Sequence, residues 1–227
     1  MNPMPKILLH QWQISPFCHK VRKILQRKQL PYSIVNYNGL LATKVSHLSS
    51  IGKLPVLEYN NQKIQDSSDI AEFLEAHHPE NPLYPTDSTQ RSHTYFWEDW
   101  ADESLYWYEV YFRFMYPDAL KIATGLLCEG RPKFEEWIIG TMAPYLYKKQ
   151  LRAQGIGRLD PKRVERKFFQ HLGNLDTLLS QQDWLVGNHQ TIADIAVFAQ
   201  LEEIISTSHL REQILSYPHL RHWREQN

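Results

Sequence analysis

A chain of 227 residues, 42% apolar and 22% charged, holds enough material for one large packed domain or two small ones. Its 25 lysines and arginines balance 25 aspartates and glutamates, and this zero formal charge argues against a general nucleic-acid binder or a protein of anionic membrane surfaces. Two cysteines, Cys18 and Cys128, are too few for a disulfide framework; with no long apolar leader core and no run near the roughly 18 apolar residues of a membrane span, a cytoplasmic location without membrane attachment is expected.

Residues 6–10 read as a short buried strand and 17–29 as a helix, with Val21, Ile24 and Leu25 on its apolar face. Between them, Pro16 suits the first helical turn and Ser15 the N-cap, so a hydroxyl and free amides meet at the positive end of a helix, a place that can hold an anion. Residues 32–37 are β-branched and aromatic, hence a second strand parallel to the first. Residues 40–50 suggest a short irregular helix. Two strands then flank Asn60-Asn61 as a hairpin, with Pro55 at the start of the first. Asp66 or Ser67 caps a helix carrying Ile70, Phe73 and Leu74. The order β-α-β-α-β-β-α within 80 residues is a thioredoxin-like layout. Pro79, Pro82 and Pro85 then mark a linker.

Everything beyond the linker reads as helix. Residues 88–116 read as one long stretch with ten aromatic side chains between Tyr95 and Phe114, and Pro117 ends it. A helix over 131–154 contains Pro144 as a break or kink, Asp160-Pro161 opens another, and Thr191 with Asp194 opens an almost wholly apolar one that should be central to its domain. The expected fold class is α/β plus all-α, with a thioredoxin-like domain over 1–79, a linker over 80–87 and a helical domain over 88–227. No metal-ligand spacing stands out.

The Ser-Pro-Phe-Cys turn, the Lys-Leu-Pro-Val-Leu strand start, the Asp-Ser before a helix and the Thr-x-x-Asp helix start occur here in the order they take in cytosolic glutathione transferases, which the chain resembles over nearly its full length. Residues 149–158 add a similarity to the metaxin-like and failed-axon-connection-like subgroup. The resemblance implies glutathione as co-substrate, a small hydrophobic electrophile as second partner, and a homodimer. It implies that Leu54, before a cis Pro55, pairs its backbone with the cysteinyl part of glutathione, that Lys53 meets the glycyl carboxylate, and that Asp66 and Ser67 hold the γ-glutamyl end. Asp66 and Ser67 acting only as helix caps would look the same in sequence.

Ser15 would then stabilise the thiolate. A free thiol titrates near about 8.5, and one hydrogen bond to a charged group, worth roughly 1.5–3 kcal/mol, lowers that by about one to two pKa units. Cys18, one turn on, is either a second reactive thiol favoured by the helix end or a small packing residue. Trp107, Tyr108 and Tyr111 are expected to face the cleft between domains as the electrophile pocket. Conjugation of glutathione is the leading function; a thiol oxidoreductase using Cys18 and a non-catalytic binding or assembly module are the alternatives.

Overall fold

The computed structural model describes residues 5–227. Residues 1–4, part of the stretch read for a leader and the start of the expected first domain, lie outside the described residues. The first half is a four-stranded mixed sheet in the order β2-β1-β3-β4. Its strands are β1 (Ile7–Gln11), β2 (Ser33–Asn36), β3 (Val56–Tyr59) and β4 (Gln62–Gln65). β1 runs parallel to β2 and antiparallel to β3, with Leu9 opposite both Ile34 and Leu57. Asn60 and Asn61 both take positive φ, 49° and 72°, the backbone that a two-residue hairpin turn between twisted strands requires.

Helices α1 (Pro16–Arg27) and α3 (Ser67–His77) pack with the sheet, and a 3-10 turn followed by the one-turn α2 (Val45–Leu48) crosses one end. The core of this half joins Ile7, Leu9, Val21, Ile24, Leu57 and Ile70. α1 departs from the simple amphipathic reading in one respect. Lys20 and Lys28 are buried, and Lys28 Nζ donates to Glu75 Oε2 at 2.7 Å and to the His78 carbonyl at 2.6 Å.

The second half comprises α4 (Ser88–Asp99), α5 (Tyr106–Met115), α6 (Pro117–Leu127), α7 (Lys133–Gln154), α8 (Pro161–Leu179), α9 (Ile192–Thr207), α10 (Arg211–Leu215) and α11 (Pro218–Gln226). Together the halves form a thioredoxin-like domain followed by a helical domain, as the sequence implied. Pro117 does end α5, but it also stands at the first position of α6, which the sequence reading did not assign. α7 continues through Pro144 as one helix.

α9 is the axle of the molecule, buried over most of its surface. Ile192 and Ile195 enter the core of the sheet half, while Ala193, Ala196 and Val197 enter the helical core. Asp194 fixes its start: the carboxylate accepts from Leu185 N (2.8 Å), Thr191 N (2.9 Å), Thr191 Oγ1 (3.1 Å) and Trp223 Nε1 (2.9 Å). α1 lies along α9, so the element that carries Ser15 is held by both halves. Among the described residues no helix is long and apolar enough to cross a membrane.

Candidate active site

Ser15 sits at the N-cap of α1 with extended backbone, and its Oγ accepts from Cys18 N–H at 3.3 Å. That bond uses one lone pair and leaves the hydroxyl hydrogen free to donate. Capping the helix and stabilising an anion in front of it are therefore compatible roles for one side chain. Ser15 lines a cavity of about 490 Å³ between the halves, together with Trp12, Phe17, Leu54, Tyr106 and Trp107. A second cavity of about 490 Å³ shares Phe17, Lys53, Leu54, Asp102 and Glu103 with the first and reaches Pro55, Asp66, Ser67 and Glu98. The two make one continuous cleft.

The Leu54–Pro55 peptide is cis. β3 begins at Val56, and among the described residues neither the N–H nor the C=O of Leu54 has a hydrogen-bond partner. Its unpaired peptide groups stand at the cleft wall just before β3 begins, where an extended ligand can pair with them. Asp66 caps α3, Oδ1 accepting from Ser68 N–H at 2.9 Å, and does so at φ 71°, a backbone region that costs a non-glycine residue about 1–3 kcal/mol. Ser67 follows as the first residue of α3, where free amides favour a carboxylate. Lys53 is exposed at the rim.

Three expected positions come out differently. Cys18 is fully buried, absent from the cleft lining, and burial pushes its thiol up to about 11 against the lowering effect of Ser15. It is a packing residue, not an accessible nucleophile, which removes the support for a Cys18-based oxidoreductase. Tyr108 and Tyr111 are buried in the helical core: Tyr108 lies against Phe112, Phe168 and His171, and Tyr111 against Phe112 and Tyr116. Only Trp107 of the expected aromatic trio lines the cleft, joined by Tyr106, Val110, Phe114 and Tyr147. Residues 106–107, 109–110 and 113–114 share one face of α5, while 108, 111 and 112 lie on another.

The sequence reading missed a buried polar cluster under the Asp66–Ser67 end. Lys20 Nζ reaches Glu98 Oε1 at 2.5 Å, Asp102 Oδ2 at 2.7 Å and Ser68 Oγ at 3.1 Å, and Ser68 Oγ donates to Glu98 Oε1 at 2.9 Å. Burial opposes the charge of Lys20, but Asp102 and Glu98 outweigh it and hold its pKa above the usual value. Residues 100–105, which carry Asp102, form a π-helical turn, a wider winding often found at functional sites. A lysine four residues before Ile24 on an otherwise apolar face was the available signal.

Residues 16–119 match the glutathione S-transferase N-terminal domain and residues 169–226 the C-terminal domain. The chain belongs to the glutathione S-transferase family. It is 26% identical over 225 residues to failed axon connections of Drosophila melanogaster, covering 90% of this chain and 49% of that protein, so it spans about half the length of that relative. It is 25% identical over 202 residues to FtsZ-localized protein A of Caulobacter vibrioides, 86% of this chain and 76% of that one. Glutathione S-transferase U7 of Arabidopsis thaliana is 31% identical over 105 residues, 44% of each chain. Among solved structures, a glutathione S-transferase of Methylobacterium radiotolerans in complex with glutathione sulfonate shares the fold at TM-score 0.64 and 24% identity, over 97% of this chain and 89% of that one.

Proposed function

We propose that the protein is a glutathione transferase that conjugates glutathione, its co-substrate, to a small electrophile of largely apolar body. The observation that carries this is the single cleft joining the Asp66–Ser67 helix end, the unpaired Leu54 peptide, the Ser15 hydroxyl and an aromatic wall. On this reading the γ-glutamyl carboxylate lies at the start of α3, its ammonium faces Asp66, the cysteinyl backbone pairs with Leu54, and Lys53 attracts the glycyl carboxylate. The sulfur then lies by Ser15, whose hydroxyl donates to the thiolate, and Trp107 with its neighbours receives the electrophile. Rate comes from thiolate population and from holding the two reactants together.

Residues 1–79 would thus hold glutathione and 88–227 the electrophile, with 80–87 linking them, in a cytoplasmic homodimer. Sedimentation at micromolar concentration tests the dimer.

Ser15→Ala tests the chemistry. Loss of a hydrogen bond to a charged group, about 1.5–3 kcal/mol, lowers kcat/KM for conjugation roughly ten- to a hundredfold while glutathione still binds. Unchanged turnover would remove Ser15 from the mechanism. If calorimetry finds no glutathione affinity in the unaltered protein, the chain is a binding or assembly module built on the same fold.

A further inference from the structure

The formal charge of zero is an average over an uneven chain. Residues 148–167 hold eight lysines and arginines against two acids, and the rest of the chain is acidic by the same margin. Both acids are engaged: Asp160 caps α8 by accepting from Arg163 N–H at 3.3 Å, and Glu165 accepts from the Tyr116 hydroxyl. All eight basic side chains are exposed, and among the described residues none lies within ion-pair distance of a carboxylate. They gather where α7 gives way to α8. Lys148, Lys149 and Arg152 stand on the last two turns of α7, and Arg158 in the 3-10 turn that follows. Lys162, Arg163, Arg166 and Lys167 open α8, on the side opposite Val164, Phe168 and Leu172, which enter the helical core.

α7 adds an apolar surface to this charge. Phe134, Trp137, Thr141, Tyr145, Lys148 and Arg152 recur at steps of three or four residues, so they form one stripe of about five turns and 27 Å. All six are exposed, Phe134 by 59% and Trp137 and Tyr145 by 72% each, and Met142 flanks them at 55%. The Thr141 hydroxyl is committed to the helix, donating to the Ile138 carbonyl at 2.9 Å. Neither carboxylate of α7 interrupts the stripe: Glu135 is buried, accepting from Arg131 and Leu40 N–H, and Glu136 lies on the side that borders α6. The stripe is therefore aromatic at one end and basic at the other. Exposed apolar surface gathered in this way marks a place of contact.

We propose that this face docks the protein reversibly on an anionic lipid bilayer, with Phe134, Trp137 and Tyr145 entering the boundary between headgroups and acyl chains and the basic cluster lying over the headgroups. Complementarity decides the partner. A polyanion without an apolar body would satisfy the lysines and arginines and leave four large apolar side chains in water. A neutral apolar partner would do the reverse. An anionic bilayer meets both needs, and it meets them along a line, which is what the outer side of a single helix presents. The contact is peripheral, so it involves no membrane-spanning helix. It corrects the expectation of no membrane attachment, which took the charge of the chain as a whole and so missed how that charge is divided. The proposal goes beyond the transferase reading and does not depend on it.

The test is sedimentation with vesicles of phosphatidylcholine alone, or of two parts phosphatidylcholine to one of phosphatidylserine. The unaltered protein should sediment with the mixed vesicles only, and come off as ionic strength rises to about 0.5 M. Each lysine near an anionic surface is worth roughly fivefold in affinity, so Lys148→Gln with Lys149→Gln should weaken binding about twenty- to thirtyfold. Trp137→Ala with Tyr145→Ala should weaken it by about tenfold or more. Acyl-brominated lipid should quench part of the tryptophan emission of the unaltered protein, and Trp137→Phe should abolish that quenching. This reading holds even if a double variant fails to fold. No sedimentation with mixed vesicles overturns the proposal. So does an aromatic double variant that folds and binds vesicles undiminished, or quenching that survives Trp137→Phe. If polyglutamate or oligothymidylate binds as tightly as the vesicles do and the aromatic pair makes no difference, the face is a general polyanion site. If the unaltered protein ignores vesicles and the aromatic double variant turns a dimer into a monomer, the face is a contact between copies of the chain; either result also overturns the proposal.

Discussion

The two sides of the cleft are built by different means. On the sheet side, each proposed ligand group is a local backbone event: a helix cap at Ser15, a strand start at Leu54-Pro55, a second cap at Asp66. On the helical side, the wall comes from α5 and α7, with Arg113 held by Glu203 of α9, and no short segment contains it. Local chemistry is fixed by a few consecutive residues, whereas a packed wall depends on which helix face meets which neighbour. Substitutions on the sheet side should therefore change glutathione handling with little loss of stability, and those behind the helical wall should do the reverse.

The sharpest way to break that division is Lys20→Met. Lys20 lies on α1 of the sheet half but is 1% exposed, and it neutralises Glu98 and Asp102 from the helical half. Removing one partner of a buried ion pair costs about 3–5 kcal/mol, because the remaining carboxylates lose their counter-charge. Urea unfolding should show a loss of that size, together with weaker glutathione binding in calorimetry. A stability change under about 1 kcal/mol would mean that the cluster is hydrated, and the sheet-side site would then be independent of the helical half.

Trp107 and Tyr108 test the helical side. Tyr108→Ala opens a hole among Phe112 and Phe168 and should cost about 3–4 kcal/mol of stability. Trp107→Ala removes a half-buried cleft side chain, so it should raise KM for the electrophile several-fold and move the urea midpoint far less. The reverse outcome would place Tyr108 on the substrate side of α5.

Glu109 gives a pH signature. Its carboxyl titrates near about 7 in the folded protein against 4.5 ordinarily, so the native state holds a proton that the unfolded chain releases. Its contribution is therefore most favourable below 4.5 and declines as pH rises to about 7. The loss amounts to as much as about 3 kcal/mol. Other carboxylates titrate across the same range, so the quantity to measure is the difference between the unaltered protein and Glu109→Gln. Parallel stability curves would show that the native environment of Glu109 does not raise its pKa.

The same division explains what the sequence made legible. The thioredoxin-like layout, the helical second half, the cap at Ser15 and the capping box at Thr191 and Asp194 all follow from turn residues and apolar periodicity over a few positions. The face of α5 does not. Ten aromatics within 20 residues leave more than one face apolar, and only the placement of α7, α8 and α9 decides that Tyr108 turns inward and Trp107 outward. Lys20 escaped for a related reason. A charged residue on an apolar face is readable as buried only once its partners are known, and Glu98 and Asp102 lie more than 70 residues away.

The smallest expected effect is at the rim. Lys53 is exposed and, among the described residues, has no carboxylate within ion-pair distance, so its proposed contact with the glycyl carboxylate would form in water. Exposed ion pairs are worth about 0–1 kcal/mol and weaken with salt. Lys53→Ala should therefore weaken glutathione binding by no more than about fivefold, leave the urea midpoint in place, and lose most of that difference when ionic strength rises from about 0.01 M to 1 M. A larger or salt-independent loss would mean that the lysine is desolvated when ligand binds. That requires the rim to close over the cleft, and the contrast between an open sheet side and a packed helical side would then hold only for the unliganded protein.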